Sequence, residues 1–189
     1  LEKMKNIQKK LLQLQKMNDT YLKELKIVAT EMKSQQFQIV SYFTYSLHLN
    51  HELEGENFII GSYHITNFGF KPLHHPYICI KLSSEDVFDF SGKYFYPDTQ
   101  QKMKLANAWL RFNEAENRQE FWLKPNNQQI LEPQETLTFQ NFQLKWEANK
   151  SYAGYVTGFI YGDEIKEGIS AVNQISVSGN VKEENDDEG

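Results

Sequence analysis

"FQIVSYFTYSLHL", residues 37–49, is where the chain changes its period. Before Phe37, apolar residues recur at alternating steps of three and four. From Phe37 they recur every second residue, which puts Phe37, Ile39, Phe43, Tyr45, Leu47 and Leu49 on one face, with Ser41 the one polar interruption. Strict alternation is the pattern of a half-buried strand, whereas the longer period is helical. The 189 residues therefore divide into a helix over 1–36, a β body over 37–180 and an acidic tail over 181–189.

The body continues as it starts. In "NFIIGSYHITN" Ile59, Tyr63 and Ile65 alternate, and "NFGFKP" then supplies turn residues. "YICIKL" alternates Ile78, Ile80 and Leu82, "VFDF" and "KYFYP" are short aromatic runs, and "EFWLKP" stops at a proline. "LEPQETLTFQNFQLKW" predicts a turn and a long strand. Leu137 and Phe139 share one face there, but Phe142, Leu144 and Trp146 need a shift of phase, which a bulge at Gln140 or Asn141 provides. "YAGYVTGFIYG" and "GISAVNQISVSG" complete the set. Aromatic and β-branched runs with turn signals about every ten residues predict a mainly β fold, an antiparallel immunoglobulin-like sandwich. One segment reads differently: "PDTQQKMKLANAWLRF" has an Asp98 or Thr99 cap and helix formers up to Trp109, which predicts a short helix or an ordered insertion.

Residues 1–36 hold no Gly and no Pro and are rich in Lys, Leu, Gln, Glu and Met, all good helix formers. Met4, Leu11, Asn18, Leu25 and Met32 fall at heptad position a, and Ile7, Leu14, Tyr21 and Val28 at position d. A period of 3.5 is that of a left-handed coiled coil. Asn18 is the single polar residue of this seam. At a it can bond its mate across a parallel, in-register pair and loses that partner if the register slips. Self-association through the helix is expected, with a dimer favoured over a trimer. The heptad is already running at Met4, which points to a longer protein and leaves open whether an anchor or signal precedes Leu1.

"YHITNFGFKPLHHPYICIKLSSEDVFDFSGK" resembles the opening of bacterial immunoglobulin-like repeats of the cell-adhesion-related type, and "ILEPQETLTFQNFQL" is similar to their later turn and strand. The two stretches cover about a third of the body. In this resemblance Asn67 and Gly69 accept positive φ, Pro72 and Pro133 fix φ, and Gln134 stands where a glycine is usual. The resemblance implies a sandwich and no particular ligand. The insertion at "SGKYFYPDTQQ…AWLRF" departs from it.

Composition narrows the function. Thirteen Phe, ten Tyr and three Trp can fill a sizeable core. Net charge is −5, with the acid gathered in "KEENDDEG", and no basic stripe is present to neutralise phosphates, so nucleic acid is not expected as a partner. No apolar run reaches the roughly 18 to 20 residues of a membrane span. Cys79 is the only cysteine and reads as a buried apolar residue. The compartment stays open, with the cell surface or another extracytoplasmic site favoured over the cytoplasm.

Neither a metal nor a cofactor is expected. His48 and His51 would lie on opposite faces of a strand, His64 faces away from Tyr63 and Ile65, and His74 and His75 share a turn, so no converging ligand set emerges. Glu114, Glu116 and Glu120 cluster with Arg111 and Arg118, most simply as a solvated loop. No nucleophile elbow or phosphate loop is present. Aromatic residues with polar neighbours are the better site: Tyr94, Tyr96, Trp109, Arg111 and Trp122 are the candidate partner-binding residues, with Asn107, Asn126 and Asn127 beside them. The expectation is a non-enzymatic oligomeric binding or structural module, a sandwich head on a coiled-coil stalk that engages a protein or glycan. The alternative is a carbohydrate-active enzyme, or its sugar-binding accessory, built on the Glu114–Glu120 carboxylates and the tryptophans.

Overall fold

Among the described residues the chain forms thirteen strands and one helix. The computed structural model describes residues 2–34, 37–50, 55–83, 88–97, 107–147 and 151–180. The helix, α1, spans Glu2–Ser34 without interruption. The first strands are β1 (Ile39–His48), β2 (Glu56–Asn67), β3 (Leu73–His74), β4 (Tyr77–Leu82), β5 (Asp89–Ser91) and β6 (Tyr94–Phe95). Then come β7 (Trp109–Arg111), β8 (Glu120–Pro125), β9 (Ile130–Leu131) and β10 (Thr136–Glu147). The last three are β11 (Tyr152–Gly162), β12 (Ile165–Ser170) and β13 (Ile175–Gly179).

The fold is mainly β. One sheet runs β1-β2-β10-β5 and a larger one runs β12-β11-β4-β8-β7-β6, with β13 on the same edge of β11 as β12. Pairing is antiparallel except between β6 and β7. The two sheets pack face to face, an arrangement compatible with a β-sandwich. Ile59, Tyr63, Phe139, Phe142 and Leu144 of the first sheet share a core with Ile78, Ile80, Leu123, Val156 and Ile160 of the second. A Cβ at Gly158 would meet Tyr63 at 2.5 Å and Phe43 at 2.8 Å, so this close approach of the sheets requires glycine.

Ser41 interrupts the apolar face of β1 for a reason. It is fully buried, and the hydroxyl of Tyr63, itself fully buried, donates to its Oγ at 2.8 Å. The phase shift in β10 is also present: the register against β2 slips between Phe139 and Phe142, and Asn141 adopts φ 55°. That extra residue returns Phe142, Leu144 and Trp146 to the core.

Two expectations are corrected. Trp109 does not close a helix; it begins β7, pairing with Tyr94 of β6 and Pro125 of β8, while residues 98–106 lie outside the described residues. Asn67 and Gly69 do not take positive φ. Asn67 is instead buried at the end of β2, where its Oδ1 accepts the Gly69 N–H at 3.0 Å. Its Nδ2 donates to the carbonyls of Lys71 (2.8 Å) and Leu131 (3.1 Å). The left-handed residue is Gln134, at φ 65°, in a turn closed by the Glu135 N–H on the Glu132 carbonyl. Pro133 before it and a left-handed residue in third place are the type II arrangement, which is why glycine is usual there.

Candidate functional site

The seam of α1 is uncovered. Residues 2–32 are all exposed, and Met4, Ile7, Leu11, Leu14, Tyr21, Leu25, Val28 and Met32 each show between 51% and 72% of their surface to solvent. Asn18 sits among them, equally exposed. A helix this long is about 50 Å from end to end. Helices in proteins draw most of their stability from burying one face, and among the described residues none covers this one.

The five residues expected to meet a partner do not share a surface. Trp109 and Arg111 are both 2% exposed and point into the fold, whereas Tyr94, Tyr96 and Trp122 are half-buried. The Arg111 guanidinium lies 4.3 Å from the ring centre of Phe121 and 5.5 Å from that of Tyr96. It donates to the Tyr96 hydroxyl at 2.9 Å, to Asn113 Oδ1 at 3.0 Å and to the carbonyls of Glu114, Asn117 and Glu120. A cation satisfied by ring faces and carbonyls anchors the 112–120 loop from within.

Trp122 points the other way, onto the outer face of the larger sheet. There it meets rings that the sequence reading did not group with it. Tyr77 of β4 and Tyr161 of β11 stack at 5.1 Å with planes 8° apart, and Trp122 lies 5.2 Å from Tyr161 and 6.2 Å from Tyr77. Phe112, 44% exposed, stands edge-on to Tyr77 at 5.8 Å and 6.2 Å from Trp122. The indole is fixed: its Nε1–H donates to Glu120 Oε2 at 3.0 Å, and Glu120 Oε1 pairs with Lys81 Nζ at 3.0 Å. The bonds from Trp122 and from Lys81 hold the Glu120 carboxyl below its ordinary range. Cross-strand register explains the cluster, since Cys79 faces Trp122 on one side and Phe159 on the other. No spacing within a single segment could have revealed it.

Beside these rings runs a groove of about 700 Å³. Tyr77, Leu110, Phe112 and Trp122 form its apolar part, and Asn126, Gln128 and Gln129 line it with amides. A second cleft of about 400 Å³, with Asn107 and Asn127 on its walls, shares Pro125, Asn126 and Gln128 with the first.

His74 and His75 reach across to the β11–β12 turn. His74 Nδ1 bonds Glu164 Oε1 at 2.5 Å while its backbone N–H donates to Oε2 at 2.9 Å, and His75 Nδ1 bonds Asp163 Oδ2 at 2.7 Å. The Glu164 bond raises the His74 pKa. Partial burial pushes Glu164 up, but the bonds from the His74 ring and backbone outweigh it and leave the carboxyl below its usual value. His64 bonds Thr44 at 2.8 Å and Thr138 at 3.2 Å, with partial burial lowering its pKa; His51 lies outside the described residues. Among the described residues no three His, Cys, Asp or Glu side chains converge as a metal site, and no helix is long and apolar enough to cross a membrane. No protein-family model and no curated protein matches the chain.

Proposed function

We propose that this chain is a non-enzymatic, oligomeric binding module: an immunoglobulin-like sandwich head carried on a coiled-coil stalk and engaging a protein or glycan. The observation that carries this reading is the α1 seam, a heptad of apolar residues each more than half exposed and uncovered by any described residue, with one amide at its centre. Burial of a side chain such as Leu or Met is worth about 1.5 to 3 kcal/mol, so a second copy of the same seam is a strong candidate to cover it. Asn18 then sets a parallel register. Two heads on one stalk turn the second contact with a surface into an intramolecular one, so avidity rises without any new contact.

Sedimentation of the 189-residue chain tests this. A dimer or trimer is expected at micromolar concentration, and a monomer would sink the reading. Asn18→Leu should raise the thermal stability of the assembly while letting its copy number or helix orientation drift. If number and orientation stayed fixed, the register role of Asn18 would be lost. The enzymatic alternative has less support. The bonds from Trp122 and Lys81 favour the ionised form of Glu120, which does not suit it to the proton-donating role of a glycosidase acid.

A further inference from the structure

We infer that the outer groove between Tyr77, Phe112, Trp122 and Gln128 is a carbohydrate site, for a neutral oligosaccharide of gluco-configured pyranoses such as glucose or N-acetylglucosamine. This deepens the binding-module reading and rests on it, and it moves the ligand from the 94–122 segment as a whole to one face of the larger sheet.

The rings decide the class. A pyranose whose hydroxyls are all equatorial presents faces made only of axial C–H bonds. Those weakly positive hydrogens suit the negative face of an aromatic ring. Phe112 is the most solvent-exposed ring of the cluster, and Trp122 is held in one orientation by the Lys81–Glu120–Trp122 chain. With its N–H already donated to Glu120, the indole offers its π surface and not a donor. Fixing the platform before the ligand arrives lowers the entropy lost on binding.

The rim decides the charge. Asn126 and Gln129 offer primary amides able both to donate to and accept from a hydroxyl, while Gln128, whose Nε2 is donated to Glu135 Oε1 at 2.9 Å and to the Ile130 carbonyl at 3.3 Å, offers its carbonyl oxygen. Asp163 is hydrogen-bonded by His75 at 2.7 Å, and Lys124 lies 6.0 Å from the ring centre of Phe112. Asp163 and Lys124 both line the groove and are opposite in sign, so it carries no excess of either charge to select a phosphate or a strongly charged peptide. The shared wall of Pro125, Asn126 and Gln128 joins the groove to the amide-rich cleft beyond, which suits a chain of sugar units.

Tryptophan fluorescence of the 189-residue chain, titrated with cellohexaose and with chitohexaose, is the test. Trp109 and Trp146 are 2% and 3% exposed, so the half-buried Trp122 is the indole that should report. Saturable binding of one of the two sugars is expected, with affinity falling about tenfold or more, about 1.4 kcal/mol, in Phe112→Ala and in Trp122→Ala. If Trp122→Ala folds poorly, Phe112→Ala and Gln129→Ala carry the test, because both residues are exposed on the groove wall. No saturation by either sugar at millimolar concentration would overturn the inference, as would binding that both of these variants leave unchanged. Sedimentation of the same samples separates the two readings. An oligomer that binds neither sugar removes only the carbohydrate site, and a monomer that binds one through Phe112 removes only the stalk.

Discussion

Ser41 and Tyr63 show what one polar pair does inside this core. Both are fully buried, and each is the other's hydrogen-bond partner at 2.8 Å. Burial pushes the Tyr63 phenol far above its ordinary pKa despite that bond. Removing one member strands the other, so Tyr63→Phe or Ser41→Ala alone should cost about 1 to 3 kcal/mol. The double variant should cost less than the sum of the two, because nothing polar is left without a partner. Urea denaturation of the four proteins measures this, and strict additivity would sink the claim. The residue scale is also where the sequence was hardest to read. Ser41 showed as a break in an alternation, but its partner lies 22 positions away and only pairing brings it there. Asn67 was singled out correctly and given the wrong task, since its side chain and not its φ holds the turn. Gln134 was noted as an odd substitute for glycine, and its backbone is the left-handed one.

Among the elements, the β11–β12 turn is tied down by a titratable clasp. Its sign follows from the two shifts. His74 is raised above the ordinary 6.5 of histidine, so its contribution is complete below that value and is lost as pH rises through the raised pKa. Glu164 is lowered from 4.5, so its contribution is present above that value and is lost as pH falls through the lowered pKa. The pair therefore supports the turn best between about pH 4.5 and 6.5. Thermal midpoints of the native chain and of Glu164→Gln should differ most in that window and converge toward pH 9; a gap independent of pH would dismiss the clasp. Elements of this kind were legible only in part. Period-2 alternation located β1, β2, β4 and β10, and the phase slip at Gln140–Asn141 located the bulge, because both are local properties of the chain. The β6–β7 pair was not legible. Two- and three-residue strands carry too few residues for a period, and helix formers ahead of Trp109 suggested a helix that β7 replaces at its end.

At the level of the whole molecule, strand order does what no motif could. Tyr77, Phe112, Trp122 and Tyr161 come from four separate stretches of the chain, and the order β11-β4-β8-β7 lays them on one face. The 94–122 segment was singled out for its aromatic content, and its members divide between inside and outside, because successive residues of a strand point to opposite faces. Beneath the outer rings lies Cys79, 3% exposed, its thiol pushed up to about 12 chiefly by burial. Being the chain's sole sulfhydryl, it turns the aromatic layer into a gate that can be timed. In the closed state an alkylating reagent finds neither access nor thiolate, so each modified molecule records one excursion in which Trp122 and its neighbours lifted away. Iodoacetamide uptake, followed by mass spectrometry, should be slow in the native chain and faster in Trp122→Ala; equal rates would mean that the indole is no part of the lid.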